Sequence, residues 1–272
     1  MIVVTGASGN VGRPLIQALV RAGEQVTAVS RHAVPGVRHR SADLTEPGSL
    51  RSVLSGASAL FLLVPGAGAD VDIDDILDAV KANGVGRVVL LSSQAAGTRP
   101  ESVSHAPLRR IEEAVGDGGT ILRPGGFASN AMAWAGAVRS GRPVAAPFGD
   151  VGLPVIDPAD IAEVAAVVLR GEGHAGRVYE LTGPALSTPR QRVRDIGAAI
   201  GRPVNFVEQS PAEARAEMSR FMPPDVVTGT LDILGSPRLG ELRISPDVRD
   251  LLGREPQRFA DWATRHADAF RS

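Results

Sequence analysis

Three glycines near the start of the chain, Gly6, Gly9 and Gly12, recur at every third position within Val3-Val4-Thr5-Gly6-Ala7-Ser8-Gly9-Asn10-Val11-Gly12. An apolar run ends at Thr5 and a helical pattern follows Gly12, so this stretch joins a strand to a helix. In that setting the first glycine permits a tight turn and the second lets the backbone approach a pyrophosphate. The third lets helix and strand pack closely, with the helix N-terminus facing the anion. Gly6, Ser8, Gly9, Asn10 and Val11 are therefore candidates to hold a dinucleotide, although a purely structural turn would also use glycine. The end of the next strand reads Val29-Ser30-Arg31-His32, with no carboxylate for a ribose hydroxyl. A guanidinium at Arg31 pairs bidentately with a 2′-phosphate, which predicts NADP(H). Asp43 and Leu44 are placed at the adenine edge, and Val64 and Pro65 at the end of a further strand complete this side of the cofactor site.

Groups able to assist a reaction come later. Ser92 and Ser93 end an apolar run; either hydroxyl can hydrogen-bond a substrate carbonyl, or simply satisfy backbone at a strand end. His105 can donate a proton near neutrality, yet Arg109 four residues on favours its neutral form, and a polar residue at a helix start is an equal reading. The turn Pro124-Gly125-Gly126-Phe127 should pass near a nicotinamide, which assigns Pro124, Gly126 and Phe127 to the cofactor. Asn130, Trp134, Phe148, Met218, Phe221 and Met222 either wall an apolar substrate pocket or belong to plain core. The five histidines lack metal-ligand spacing and the chain has no cysteine, so no metal site is expected.

The elements that must position these groups alternate. Apolar runs at 2–5, 26–30, 60–64, 88–92 and 120–122 read as buried strands, with helical patterns at 13–22, 71–83 and 106–115 between them. The fold class is α/β, a Rossmann-type doubly wound parallel sheet with a smaller C-terminal substrate-binding region. We place a dinucleotide-binding domain at residues 1–150 and, at 151–272, a region that completes the sheet and covers the pocket. Its elements are helices at 158–169 and 188–200, short strands at 178–181 and 204–207, a helical stretch at 210–234 interrupted at Pro223-Pro224, and a last helix at 259–270. With 29 basic against 30 acidic residues there is no cationic surplus to hold nucleic acid. The absence of cysteine removes disulfides, thiol nucleophiles and iron–sulfur clusters. No apolar run reaches membrane-spanning length and no signal segment is seen, so a soluble cytoplasmic protein acting on a small molecule is expected; its oligomeric state is not readable.

The segments TGASGNVG, SRHA, ADL at 42–44 and LLSSQAAG at 90–97 resemble the atypical short-chain dehydrogenase/reductases. ILRPGGFASN at 121–130, the helix start DPADIA at 157–162 and VYELTG at 178–183 are similar to its NmrA-like branch, over about residues 1–200. The resemblance implies NADPH-dependent quinone reductases, ketoreductases of specialised metabolism, isoflavone-reductase-like enzymes, or redox sensors that bind cofactor without turnover. One departure matters. The family's usual Tyr-x-x-x-Lys is missing: Tyr179 is remote and has no lysine four residues on, and Lys81, the one lysine, lies well upstream. His105-x-x-x-Arg109 keeps that spacing with other chemistry, and His105 falls where the isoflavone-reductase-like branch would place a lysine. The expectation is an NADPH-dependent reductase of a ketone or quinone carbonyl in a bulky aromatic molecule such as a polyketide, with the proton supplied by substrate or water. The alternative is a non-catalytic NADP(H) sensor with a protein partner; an isomerase or dehydratase on the same fold has no residue signal.

Overall fold

The computed structural model describes residues 1–30, 32–46 and 48–271. Its elements in chain order are β1 (Ile2–Thr5), α1 (Gly12–Arg21), β2 (Val26–Val29), β3 (Arg38–Arg40), β4 (Ala59–Leu62), α2 (Ile73–Ala82), β5 (Arg87–Leu91), α3 (Gln94–Thr98), α4 (Ala106–Val115) and β6 (Thr120–Pro124). There follow α5 (Ala135–Arg139), β7 (Val144–Ala146), α6 (Pro158–Arg170), β8 (Val178–Leu181), α7 (Pro189–Ile200), β9 (Phe206–Glu208), α8 (Pro211–Met218), α9 (Pro224–Gly235), α10 (Leu239–Leu242), α11 (Asp247–Leu252) and α12 (Phe259–Arg265). The sheet is seven-stranded, in the order β3-β2-β1-β4-β5-β6-β8, with every neighbouring pair parallel. The Rossmann-type α/β architecture expected from the alternation is therefore present.

Alternation along the strands divides the core into two layers. Ile2, Val4, Phe61, Val89 and Leu91 face α1 and α6, which contribute Leu15, Leu19, Ile161 and Val168. Val3, Leu60, Leu62, Val88 and Leu90 face the other way, toward Ile76 of α2 and Ile111 of α4. Each such buried aliphatic side chain contributes about 1.5–3 kcal/mol, so both faces of the sheet must be covered. Strand order reverses between β1 and β4, and Thr5 binds the two together there. Its hydroxyl oxygen lies 3.1 and 3.0 Å from the Phe61 and Leu63 carbonyls and accepts the Leu63 N–H at 2.8 Å. The crevice beyond these strand ends is where an open α/β sheet receives its ligand.

Several element boundaries differ from the sequence-based expectation. The run at 60–64 stops being strand at Leu62, because Pro65 opens a 3₁₀ turn. The third strand expected ahead of Asp43 is β3, which lies outside the apolar runs: Arg38-His39-Arg40 is a polar edge strand held by backbone pairing to β2. β7 was not expected; it pairs in parallel with β9 as a separate two-stranded ribbon. The interruption expected at Pro223-Pro224 is present: the stretch at 210–234 divides into α8 and α9, with Pro223 and Pro224 starting the second helix. The last helix ends at Arg265 and continues as a 3₁₀ turn, Ala267–Ala269. A third apolar cluster, around Trp262, Phe259, Phe270, Val193 and Ile196, joins α12 to α7 beside the sheet. A small fourth cluster of Ala214, Val227 and Leu231 lies between α8 and α9. Among the described residues, no helix is long and apolar enough to cross a membrane.

The short helix α10 is fastened to α3 by a buried ion pair. Arg99 Nε and Nη2 donate to Glu241 Oε1 and Oε2 at 2.6 and 2.8 Å, and Glu241 also accepts the Thr98 hydroxyl at 2.9 Å. Burial pushes the Glu241 carboxyl up, but the bonds from Arg99, the Arg238 N–H and Thr98 outweigh it and hold the group below the usual carboxylate range. Glu241→Gln leaves Arg99 buried without its counter-charge and should cost about 3–5 kcal/mol in urea unfolding. Because the folded-state pKa lies below the unfolded one, the carboxylate's contribution is complete above the ordinary range and is lost as pH falls through the folded value. The variant should therefore lack that part of the acid-side slope in stability.

Candidate active site

The loop between β1 and α1 is shaped by two glycines. Gly6 has φ +62°, and a Cβ on Gly12 would lie 2.2 Å from the Gly6 carbonyl oxygen and 2.7 Å from the Cα of Ala7. Only glycine lets the helix begin this close to the strand end. Gly9 N–H donates to Gly6 O at 3.0 Å and Arg13 N–H to Gly9 O at 3.1 Å, which folds the loop over the start of α1. The outer side of Gly9 is open: within 4 Å a Cβ there would meet only the Gly6 oxygen, at 3.2 Å. The first turn of α1 carries neither a side-chain cap nor an acidic residue; Arg13 N–H is taken by Gly9 and Pro14 has none, so the loop ahead of the helix and the positive end of its dipole are what face an anion. These features fit a dinucleotide diphosphate. Asn10 Nδ2 also donates to Ser129 Oγ at 3.2 Å, linking this loop to the segment after β6.

The other expected cofactor residues surround the same crevice end. Val64 is buried in extended backbone, and Pro65 starts the 3₁₀ turn after β4. Asp43 Oδ1 accepts the Thr45 N–H at 3.0 Å and its hydroxyl at 2.7 Å, while Leu44 packs against the α2–α4 layer. Pro124 ends β6, Gly126 is exposed, and Phe127 is half-buried and bridges to Ile156. Arg31 lies outside the described residues, so the expected 2′-phosphate contact is not read from this structure.

The serines point in different directions. Ser92 follows Leu91, its N–H donates to Leu122 O at 2.8 Å, and its buried Oγ has no hydrogen-bond partner among the described residues. Ser93 accepts the Ala95 N–H at 3.3 Å as the cap of α3 and lines a cleft with Gln94, Pro124, Gly125, Gly126 and Asn130. That cleft, about 190 Å³, shares Asn130, Leu153, Thr230 and Leu234 with a chamber of about 410 Å³. Trp134, Met218, Phe221 and Met222 line the chamber, together with Arg192.

Three side chains are placed elsewhere. Phe148, at φ +53°, turns away from the chamber and sits against Gly235, where a Cβ would be 2.5 Å from its ring; it packs with the small α8–α9 cluster. His105 lines neither cavity. Its Nδ1 is 3.2 and 3.0 Å from the hydroxyls of Ser102 and Ser104. Burial, then the charges of Arg109 and Arg99, push its pKa below the usual histidine range, so it is neutral at neutral pH. The phenol of Tyr179 is 2.8 Å from His174 Nδ1. The His174 carbonyl in turn accepts from Thr120, at the start of β6, whereas the cleft lies beyond that strand's end. Lys81 is exposed on α2. Neither tyrosine nor lysine reaches the cleft.

Sequence reasoning missed Gln94, Thr230, Glu241 and Arg192 as lining residues, and Ser129 as the partner of Asn10. One of these left a signal. α7 buries Pro189, Arg192, Val193, Ile196 and Gly197, so Arg192 occupies a position on an otherwise apolar helical stripe.

Comparison with known proteins gives a consistent picture. Residues 6–172 match the family model described as NAD(P)H-binding. The chain is 34% identical to (4-alkanoyl-5-oxo-2,5-dihydrofuran-3-yl)methyl phosphate reductase of Streptomyces griseus, over 99% of each chain. It is 29% identical to NAD(P)H azoreductase of Xenophilus azovorans, again over 99% of each. The structure of an NADPH-dependent quinone oxidoreductase from Escherichia coli in complex with NADPH superposes with a TM-score of 0.80 and 26% identity, covering 97% of this chain and 99% of that one.

The glycine geometry separates two substitutions. Gly9→Val fills the open side of the loop and should weaken NADPH binding at least about tenfold in calorimetric titration, while leaving the circular dichroism spectrum and Tm near those of the parent. Gly12→Ala drives a methyl group into the Gly6 carbonyl and should lower Tm as well, by about 5 °C or more. Unchanged NADPH affinity in Gly9→Val would place the diphosphate elsewhere.

Proposed function

The chain belongs to the NAD(P)H-binding family and is an NAD(P)H-dependent reductase, and we propose that it uses NADPH to reduce a conjugated carbonyl compound carried on a bulky apolar body. When bound, the cofactor supplies the hydride. The observation that carries the reading is the cleft's set of donors. Ser93 brings a hydroxyl and Gln94 and Asn130 bring amides, but no phenol or ammonium is present to act as a strong acid or to lower the pKa of one. Neutral hydrogen-bond donors can hold a delocalised oxyanion but are poorly matched to a localised alkoxide.

Hydride addition to an isolated ketone gives such an alkoxide. Addition to a quinone gives a phenol-like oxyanion, with a pKa of about 10 by analogy with tyrosine. An enone gives an enolate, and an aromatic polyketide with a phenolic hydroxyl beside its ketone stabilises the charge internally. The chain's part is then to orient the acceptor, hold the developing charge at Ser93 Oγ, and keep the reacting end out of bulk water while solvent delivers the proton later. Trp134, Met218, Phe221 and Met222 accommodate the bulky remainder. The names of the similar reductases support this, because an alkanoyl-oxo-dihydrofuran, an azo compound and a quinone are all conjugated, electron-poor acceptors. A non-catalytic sensor is not favoured: its support was the missing Tyr-x-x-x-Lys, which acceptors of this kind do not require.

Two measurements test the reading. NADPH oxidation by a naphthoquinone should exceed that by cyclohexanone at least about a hundredfold in kcat/KM, and Ser93→Ala or His105→Phe should each lower kcat by only about tenfold or less. Complete loss in either variant with NADPH still bound would identify a dedicated acid and overturn the assignment. Separately, Arg31→Ala should erase a preference for NADPH over NADH of about 1.5–3 kcal/mol in calorimetric titration.

A further inference from the structure

Two arginines of α7 sit two residues apart and meet opposite fates. Arg190 lies over the Phe206 ring at 4.7 Å and pairs with Asp150 at 3.0 Å and Glu208 at 3.3 Å. Arg192 is 8% exposed, and its Nε is buried without a partner. Among the described residues no carboxylate pairs with it and no acceptor takes a hydrogen bond from its side chain. The Trp134 ring lies 5.7 Å from its guanidinium carbon. An unpaired buried cation is costly, and an indole face offsets only part of that cost.

Its position adds a second penalty. Arg192 follows Pro189, Arg190 and Gln191 in the first turn of α7, where the helix dipole favours negative charge. Burial pushes its pKa down to about 10, which still leaves it cationic at neutral pH. The carboxylate lining the same chamber, Glu217, is exposed and accepts from Gln209 at 2.7 Å. A cation kept against both burial and the dipole, on the wall of the chamber that continues the reaction cleft, is poised for a negative charge that arrives with a ligand.

We propose that Arg192 is the receptor for a compact oxyanion, a phosphate monoester or carboxylate, carried by the substrate at the end remote from its reacting carbonyl. The guanidinium offers a planar fork of donors, the geometry that takes either oxyanion bidentately. The substrate is thus bipolar, with a conjugated carbonyl held at the Ser93 end and an anionic group across the chamber at Arg192. That wider statement rests on the reductase reading above; the anion site itself does not.

The experiment is calorimetric titration of the full chain, with NADPH saturating, using phenyl phosphate, benzoate and uncharged benzyl alcohol as probes. At least one of the two anions should bind about tenfold or more tightly than benzyl alcohol, and the tighter one names the group. Arg192→Met should abolish the difference and Arg192→Lys retain part of it. Without ligand, the Tm of Arg192→Met should be unchanged or higher, because an uncompensated charge has been removed. The proposal is overturned by equal binding of all three probes, by undiminished anion affinity in Arg192→Met, or by a lowered Tm in that variant, which would mark a structural role. Turnover of an uncharged quinone by the unaltered chain tests the reductase reading separately. Arg192-dependent anion binding without such turnover sinks only the reading; turnover without it sinks only the receptor.

Discussion

The carbonyl oxygen of Gly6 approaches Gly12 so closely that a methyl group on the latter would lie 2.2 Å from it. That contact sets how steeply the chain turns from β1 into α1. The turn in turn decides where Leu15, Ile16 and Leu19 meet the sheet and how α1 meets α6 across the same layer. Thr5, one residue earlier, ties the ends of β1 and β4 together through its hydroxyl, so the loop rises from a fixed edge of the crevice. The cofactor end of the molecule is therefore rigid for packing reasons before any ligand arrives. The substrate end is assembled from later elements laid over that frame.

This difference explains what could be read from the residues alone. The glycine loop was legible because a backbone constraint leaves one residue type, and the central strands were legible because burial on both faces makes continuous apolar runs. β3 left no such trace, since an edge strand of Arg38-His39-Arg40 is held by backbone pairing and not by its side chains. His105 has the sequence spacing of an acid, but spacing carries no direction, and the nearby hydroxyls of Ser102 and Ser104 occupy its Nδ1 side. Phe148 was a reasonable pocket residue by type; a left-handed backbone and the missing side chain of Gly235 turn it aside. Arg192 was missed for the opposite reason, since a charge within a helical pattern is ordinarily read as its solvated face.

Charge burial in this protein falls into two kinds. Arg99 with Glu241, and Arg123 with Glu112 at 2.6 Å, are bidentate pairs whose partners come from the chain itself, and they join α3 to α10 and α4 to β6. Such pairs specify how elements dock, and each is self-contained. Among the described residues Arg192 has no such partner, and the hydroxyl of Ser92 is likewise buried without one. Among the described residues these are the two buried side chains with an unmatched polar atom, and of them Arg192 lines the chamber.

Between α8 and α9 the chamber wall has a small buried cluster, Ala214, Val227 and Leu231, with Phe148, Met218 and Met222 packed around it, while the far end of α9 is held by Ile233 and Leu234 and by Arg99 bonding the Asp232 and Ser236 carbonyls. The sheet layers on the other side of the molecule are each held by many more. Local opening free energy follows the buried apolar contacts an element would lose, so α8, whose one buried side chain is Ala214, is the part of this wall that yields most cheaply. The wall's methionines are also the side chains most able to change shape in place. On the proposed reading, selectivity for the body of a substrate would be soft, a matter of how far this wall yields, while its polar ends would meet groups held by firmer elements. Relatives of this chain could drift in what they accept by altering that wall alone, leaving the folding stability of the nucleotide-binding half untouched.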